Sequence, residues 1–222
     1  MSRTLLAARR GGAAWTPAAL TLKNWIDYSD PANTIVSNAF SVLADKTGLG
    51  SRDWSQATSG LRPGSTRTVN GLTAGDYDGT DDIMTGPTTV TIGAEQAQFE
   101  AAIVFNADAL AAYTGQKFSP GVLCANPNSS NRLWMGVDAA GATIGLYNGA
   151  TEPQATTANA PSAGSTYRLR AGWDGSNLFV KLGTGSVVTT ADVTGSVGSQ
   201  SLISGKSASG SQFFNGLLCE IV

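Results

Sequence analysis

The lack of a sustained helical repeat constrains the fold of this chain more than any other feature. From Trp15 onward, no stretch of a dozen residues keeps apolar side chains at the 3.6-residue spacing of an amphipathic helix. Glycine, proline and the dipeptides Asn-Gly and Asp-Gly interrupt the sequence instead, and the 222 residues include 27 glycines and 8 prolines. Because these residues favour tight turns, we predict short β-strands joined by turns.

Several segments alternate apolar and polar residues, as strands with one buried face do. In residues 99–105 (FEAAIVF) every odd position is apolar, which predicts a core strand. Residues 167–173 and 177–182 alternate on either side of Asp-Gly-Ser, a pattern typical of a hairpin, with Trp173 on the core face. Further strands are predicted at 133–137, 143–147 and 213–222.

These strands recur about every ten residues without intervening helices. That spacing predicts an all-β fold in which two antiparallel sheets pack as a sandwich or jelly roll. A length of 222 residues fits one such domain, because sandwiches of roughly 200 to 250 residues are common.

Residues 1–14 (MSRTLLAARRGGAA) differ from the rest of the chain. They carry three arginines and no acidic residue, and the first acidic residue of the chain is Asp27. We interpret 1–14 as an N-terminal arm and 15–222 as the sandwich domain. The apolar run at 5–8 is too short for a signal peptide or a bilayer span, so folding in a cytoplasm is expected.

The arm has an apolar centre with cationic flanks, which suits a groove on a partner protein. Leu5 and Leu6 are predicted to insert into the groove, while Arg3, Arg9 and Arg10 pair with carboxylates at its rim. The alternative is a disordered tail without a role.

Two features of the composition exclude whole classes of function. The chain has no histidine, which removes Ser-His-Asp and Cys-His catalysis and histidine-ligated zinc. The formal net charge of −2 disfavours nucleic-acid binding.

The two cysteines, Cys124 and Cys219, are too few for a disulfide framework and are predicted to be unpaired.

Four short motifs, in order along the chain, resemble a known superfamily. The sequence resembles the concanavalin A-like lectin/glucanase superfamily, in its laminin-G-like and pentraxin-like branch and in the versions found on bacteriophages and bacterial surfaces. The matching motifs are 22–30 with 45–48, 77–82 (YDGTDD), 173–178 (WDGSNL) and 213–221 (FFNGLLCEI). The resemblance spans about Trp15 to Val222 and implies a concanavalin A-like jelly-roll sandwich.

The resemblance also bears on metal binding and catalysis. Relatives carry calcium at the sandwich rim, which makes Asp78, Asp81 and Asp82 candidate Ca²⁺ ligands; the favoured alternative is that they shape turns. No other cofactor is expected. Glycosidases of this fold present a Glu-x-Asp-x-x-Glu strand, and no glutamate of this chain lies in that pattern, so we expect that the chain is not an enzyme.

Four residues are candidates for sugar binding. Trp54, in a polar stretch, and Trp134, on the opposite face from Leu133, are predicted to be exposed aromatic platforms. Asn128 and Asn131, in the loop 126–131 (NPNSSN), are predicted to hydrogen-bond a glycan, although turn chemistry explains the loop equally well.

Three functions follow as hypotheses. The first is a non-enzymatic bacteriophage virion protein, a fibre, spike or capsid decoration subunit, located in the virion. Its lectin-like domain would contact a host-surface glycan, its arm would contact other virion proteins, and it would form a homo-oligomer without nucleic acid or membrane insertion. The second is a bacterial carbohydrate-binding module. The third, disfavoured by the missing carboxylate pattern, is a glucanase-type glycoside hydrolase.

Overall fold

The protein is built from β-strands, as the turn-rich sequence predicts. A computed structural model describes residues 24–48, 52–92, 99–110, 121–125, 132–147, 152–191, 198–206 and 212–222. Among these residues there is no α-helix, and a short 3-10 turn covers Ser59–Leu61. No helix in these ranges is long and apolar enough to cross a membrane.

Eighteen strands make up the described part of the chain. They are β1 (Ile26–Asp27), β2 (Thr34–Val36), β3 (Ala39–Leu43), β4 (Trp54–Ser55), β5 (Thr68–Val69), β6 (Leu72–Thr73), β7 (Gly75–Asp78), β8 (Met84–Ile92), β9 (Phe99–Ala107), β10 (Gly121–Ala125), β11 (Arg132–Val137), β12 (Ala142–Tyr147), β13 (Gln154–Thr156), β14 (Thr166–Trp173), β15 (Asn177–Leu182), β16 (Val188–Ala191), β17 (Gly198–Ser204) and β18 (Asn215–Ile221).

The strands form two large sheets and a separate hairpin. Sheet I has seven strands in the order β1-β18-β9-β14-β15-β16, with β7 also paired to β18. Sheet II has nine strands in the order β13-β12-β11-β10-β17-β8-β4-β3-β2. Within the described ranges, the strands β5 and β6 pair only with each other. The antiparallel pairing within both sheets confirms the predicted all-β sandwich.

The core lies between the two sheets, and alternation along each strand supplies it. In β9, Ala101, Ile103 and Phe105 are buried while the even positions are more exposed, which confirms the predicted core strand. In β14, Leu169 belongs to the same core, but Trp173 at the end of the strand is only partly buried against it. The assignment of Trp173 to the core is therefore correct for its face but overstates its burial.

A chain of buried hydroxyl groups links the sheets through the core. The Tyr77 hydroxyl, from β7 of sheet I, lies 2.6 Å from the Tyr28 hydroxyl and 2.6 Å from Ser204 Oγ in β17 of sheet II. Burial raises the pKa of Tyr28 to about 12, so this group stays protonated at physiological pH. Because of these hydrogen bonds, each of the three buried hydroxyl groups has a partner, as buried polar groups generally do.

The strand β18 joins β1 and β7 to the rest of sheet I. It pairs with β9 on one side, and with β7 and then β1 on the other. The register shifts between Leu218 and Glu220, so Cys219 occupies a β-bulge. Both cysteines are free thiols: Cys219 is partly buried in this bulge and Cys124 is buried in β10.

The β5–β6 hairpin is fixed at its base by ion pairs. Its turn residues Asn70 and Gly71 have φ values of 51° and 78°, the left-handed conformation that a two-residue hairpin turn requires. Just before the hairpin, the guanidinium of Arg67 forms ion pairs with Asp76 and Asp108. These contacts tie the hairpin to the ends of β7 and β9, in sheet I.

Candidate functional site

A cleft of about 90 Å³ opens on the outer face of sheet I, beside the β5–β6 hairpin. The register of the strands builds its floor, because Asp27, Glu220 and Val104 are successive cross-strand partners in β1, β18 and β9. They point away from the core, since their neighbours Ile26, Ile221 and Ile103 point into it. The described residues that line the cleft are Asp27, Ser29, Val69, Asn70, Leu72, Thr73, Val104, Thr166, Cys219 and Glu220.

Glu220 is held in place by a tryptophan. Its Oε1 accepts a 2.8 Å hydrogen bond from Trp25 Nε1, and the Trp25 backbone N–H donates to Asp45 Oδ1 at 2.7 Å. No residue in the described ranges donates a hydrogen bond to Glu220 Oε2. Burial raises the pKa of Glu220, and the charge of Asp27 raises it further. Glu220 is therefore an oriented carboxyl group with one oxygen still available to a ligand.

Both carboxylate oxygens of Asp27, in contrast, already accept hydrogen bonds. Its Oδ1 accepts hydrogen bonds from the Ser29 backbone N–H at 2.9 Å and from Ser29 Oγ at 2.7 Å, and its Oδ2 lies 2.9 Å from Lys46 Nζ. Burial alone would raise the pKa of Asp27, but the bonds from Ser29 and Lys46 outweigh burial and lower that pKa. Asp27 therefore stays ionised and shapes the wall of the cleft.

The rest of the lining mixes hydrogen-bonding and apolar groups. Ser29, Thr73 and Thr166 bring hydroxyl groups and Asn70 brings an amide, while the apolar surface comes from Val69, Leu72 and Val104. A few polar groups at an apolar surface are typical of small-molecule sites, because the polar groups set the ligand's orientation. The cleft is thus suited to a small ligand that carries several hydroxyl groups.

The structure brings the three predicted metal-binding residues together. One carboxylate oxygen each from Asp78, Asp81 and Asp82 lies within 4.8 Å of the others. Three carboxylate oxygens are hard ligands of the kind that Ca²⁺ prefers, so the residues fit that ion. Burial and the neighbouring carboxylates raise the pKa of Asp82 to about 6. Calcium at this loop stays a prediction.

Hydrogen bonds at the same loop support the turn-shaping alternative directly. Asp78 Oδ1 accepts from the backbone N–H groups of Thr80 at 2.7 Å and Asp81 at 3.3 Å. Asp82 Oδ2 accepts from the Asp78 backbone N–H at 3.0 Å. These bonds fix the turn around Gly79 by side-chain to backbone contacts within the loop itself.

The prediction that Trp54 is an exposed platform is wrong. The ring is fully buried in the core, and its Nε1 donates to Asn24 Oδ1. The cause is tertiary: β4 lies between β3 and β8, and Trp54 pairs with Leu43, which is also buried. A Cβ on Gly86 would lie 2.8 Å from the indole, so the ring packs directly on that glycine.

The prediction that Trp134 is exposed is also wrong, although its face was assigned correctly. Trp134 does lie on the opposite face of β11 from Leu133, but it is fully buried there with Cys124 in a second apolar cluster. Its ring covers Gly145 of β12, where a Cβ would lie 2.0 Å from Trp134 Cζ2. Neither tryptophan presents a ring to solvent.

The other predicted site residues lie outside the described ranges. These are Asn128 and Asn131, and the arm residues Arg3, Leu5, Leu6, Arg9 and Arg10. Sequence reasoning in turn missed the cleft. A signal was present, because Glu220 is an acidic residue inside the apolar run 217–222 (LLCEIV).

Comparisons with known proteins give matches among solved structures only. No family model and no curated protein matches the chain. Domain 4 of AbnA, a GH43 extracellular arabinanase from Geobacillus stearothermophilus solved in complex with arabinotriose, is similar with a TM-score of 0.62, at 12% identity over 89% of each chain. The fold is a concanavalin A-like sandwich. The resemblance seen in the sequence is thereby confirmed at the level of fold.

Two further structures are similar over part of their length. An arabinofuranosidase complexed with arabinofuranosyl-alpha-1,2-xylobiose matches with a TM-score of 0.54 at 13% identity, over 83% of this chain and 46% of that one. A Trypanosoma rangeli sialidase in complex with 2,3-difluorosialic acid matches with a TM-score of 0.54 at 16% identity, over 95% of this chain and 31% of that one.

These matches correct the expectation that the chain is not an enzyme. All three structures come from enzymes that act on carbohydrates by their names, so the sandwich is found within glycoside hydrolases. At 12 to 16% identity the likeness shows the fold alone. The missing carboxylate pattern therefore does not decide between binding and catalysis.

Proposed function

We propose that this chain is a carbohydrate-binding domain and that the cleft beside Glu220 is its glycan-binding site. The observation that carries the proposal is the cleft itself, where an oriented carboxyl group, hydroxyl groups and an apolar surface face one small space. Sugars present hydroxyl groups at their edges and C–H groups on their faces, so both kinds of surface find a partner there. The likeness to a domain solved with arabinotriose supports the proposal.

The size of the cleft sets the size of the ligand. Its volume of about 90 Å³ is small beside the roughly 300–1,000 Å³ of pockets that enclose drug-sized ligands. A single sugar residue, partly in solvent, is therefore the unit that we expect it to hold. Such a shallow site binds weakly, and repeated copies of the domain would gain avidity on a glycan-coated surface.

The cleft is also rigid before any ligand arrives. Trp25 fixes Glu220, Lys46 fixes Asp27, and the ion pairs of Arg67 fix the base of the overlying hairpin. Preorganised groups lose little conformational freedom when a ligand binds, which favours affinity.

A glycan array followed by titration calorimetry tests the proposal. We expect the wild-type protein to bind at least one glycan class, and Thr166→Val to weaken binding by about two- to tenfold because a cleft hydroxyl is lost. Thr189→Val makes the same change at an exposed position of β16 and should leave binding unchanged. Failure of the wild type to bind any glycan would refute the function, and equal binding by both variants would refute the site.

The finer proposal is that the domain belongs to a bacteriophage virion, as a fibre, spike or decoration subunit that faces the host. The basic arm at 1–14 and the resemblance to phage surface proteins support it. In this setting the arm docks on other virion proteins, the subunit is a homo-oligomer, and the chain folds in the host cytoplasm. We expect a chain lacking residues 1–12 to fold normally and to be lost from purified particles; normal incorporation would contradict the docking role.

A bacterial carbohydrate-binding module is the second candidate. The likeness to domain 4 of a bacterial extracellular arabinanase favours it. A module of this kind would bind a soluble or cell-wall polysaccharide whether or not the arm is present. Binding of arabino-oligosaccharides by both the full chain and the truncated chain, without particle association, would favour the module. Release of reducing sugar from the same oligosaccharides would instead point to a glycoside hydrolase.

A further inference from the structure

We infer that the cleft selects its sugar by charge: it prefers a sugar with a free ammonium group over the neutral sugar and rejects a sugar that carries a carboxylate. This inference rests on the proposed glycan-binding role of the cleft and adds the chemical class of the ligand. It follows from the balance of charges around Glu220.

Negative charge exceeds positive charge at the acidic wall of the cleft. Lys46 Nζ lies 2.9 Å from Asp27 Oδ2 and 3.2 Å from Asp30 Oδ2, so two carboxylates already share that ammonium group. The Lys46 ammonium also lies 4.8 Å from the ring centre of Trp25. Glu220, the cross-strand partner of Asp27, accepts only the neutral indole N–H of Trp25 in the described part of the chain. The Lys46 ammonium attracts Glu220 electrostatically as well, but among the described residues it forms ion pairs only with Asp27 and Asp30. Three carboxylates therefore share one cation, and Glu220 has no ion pair of its own.

The surroundings of Glu220 make the lack of an ion pair matter. The carboxylate is partly buried beside Val104, and the apolar residues Val69 and Leu72 of the hairpin line the same cleft. Charges interact more strongly where apolar groups displace water, because the effective dielectric constant falls. The raised pKa of Glu220 has the same origin, since burial and Asp27 both disfavour its ionised form. A ligand ammonium at Oε2 would offset both effects.

The same carboxylates would repel an anionic ligand. Among the described residues, the cleft lining contains Asp27 and Glu220 and no basic side chain. The nearest basic residue along the strand register is Arg168, the cross-strand partner of Val104, and it does not line the cleft. A ligand carboxylate would therefore approach two carboxylates while the Lys46 ammonium is already paired with Asp27 and Asp30, and this repulsion supplies selectivity against acidic sugars.

Three sugars that share one ring test the inference: glucosamine, glucose and glucuronate. They would be titrated into the full chain, with binding followed by ligand-observed NMR at pH 7 and low salt. We expect the wild type to bind glucosamine about tenfold more tightly than glucose, because hydrogen bonds to charged groups are stronger than neutral ones. Glucuronate should bind more weakly than glucose.

Two matched variants assign the effect to Glu220. Glu220→Gln keeps an oxygen that accepts the Trp25 N–H and removes only the charge, so it should bind glucosamine and glucose equally. Glu100→Gln removes a charge from the same sheet, where Glu100 pairs with Arg170 outside the cleft, and should keep the tenfold preference. Thermal unfolding followed by circular dichroism would confirm that both variants are folded.

The outcomes separate the inference from the function on which it rests. Equal binding of the three sugars, tighter binding of glucuronate, or no binding of glucosamine would overturn the charge selection while leaving any glycan found on the array as support for the function. A preference for glucosamine that survives in Glu220→Gln would overturn the role of Glu220. An array without any bound glycan would overturn the proposed function itself.

Discussion

Replacement by phenylalanine should change the free energy of unfolding to different extents at two tryptophans, because their indole N–H groups have different hydrogen bonding. Trp54 is fully buried and its indole N–H donates to the side-chain oxygen of Asn24, which is itself buried. Trp173 is partly buried, but its Nε1 atom is buried and has no hydrogen-bond partner among the described residues. Replacement of tryptophan by phenylalanine therefore breaks a bond at position 54 and removes an unsatisfied donor at position 173.

The expected free energies follow from these contacts. Trp54→Phe leaves the Asn24 oxygen unsatisfied, which costs about 1–3 kcal/mol, and the smaller ring adds about 1 kcal/mol for the space left in the core. The total destabilisation is about 2–4 kcal/mol. Trp173→Phe also loses apolar contact, but relief of the buried N–H offsets that loss, so the change should stay within about 1 kcal/mol.

Thermal unfolding followed by circular dichroism measures the difference. For a domain of this length, about 2–4 °C of Tm corresponds to each kcal/mol, so Trp54→Phe should lower the Tm by about 4–16 °C. Trp173→Phe should change it by no more than about 4 °C. Near-UV spectra at low temperature would check that both variants keep native packing. Equal losses at the two positions would refute the reasoning from hydrogen bonds.

Three further predictions concern packing, pH and the hairpin. Gly145→Ala should lower the free energy of unfolding, measured by urea denaturation, by about 1–3 kcal/mol because the new Cβ would collide with Trp134. Gly60→Ala should lower it by less than about 1 kcal/mol, because a Cβ there would come within 4 Å of none of the described residues beyond its chain neighbours. The raised pKa of Glu220 means that the folded state binds its proton more tightly than the unfolded state, so this carboxyl group makes stability fall as pH rises from the ordinary value of 4.5 to the raised pKa. Glu220→Gln should show a smaller fall in a Tm series, because Asp82, whose pKa is also raised, still contributes; an identical pH profile would contradict the prediction. Arg67→Ala should speed amide hydrogen exchange at residues 68–73 because the ion pairs at the base of the hairpin are lost, and it should lower the global free energy of unfolding by less than about 1 kcal/mol because those pairs are partly exposed. Unchanged exchange would show that the ion pairs do not hold the hairpin.

Alternation along single strands was enough to predict the fold, but not the burial of individual tryptophans. The pattern at 99–105 encodes the core face of β9 directly, because period-two burial is a local property. Trp54 stands between Asp53 and Ser55, and that local polarity suggested exposure. Its burial depends on the neighbouring strands β3 and β8, which lie outside this local stretch: β3 ends 11 residues before Trp54 and β8 begins 30 residues after it.

The cleft could not be predicted for the same reason. Its carboxylates, Asp27 and Glu220, belong to strands at opposite ends of the chain, and its apolar wall belongs to the hairpin between them. A β-bulge at Cys219 sets the register that places Glu220 beside Asp27 and Val104. The acidic turn at 78–82 was predictable because its contacts are local, and its side-chain to backbone bonds match the alternative derived from the sequence.

The position of β18 between β9 and the strands β1 and β7 has a kinetic consequence. The hydrogen bond between Trp25 and Glu220 joins residues 195 positions apart, and β18 also separates β1 and β7 from β9. Loops of this length close slowly, so domains dominated by distant pairings fold on timescales of about milliseconds to seconds. Until β18 docks, one edge of β9 is open to strands of other chains, which favours aggregation during synthesis. A chaperone that shields this edge would therefore raise the yield of native protein more than a stabilising substitution in sheet II.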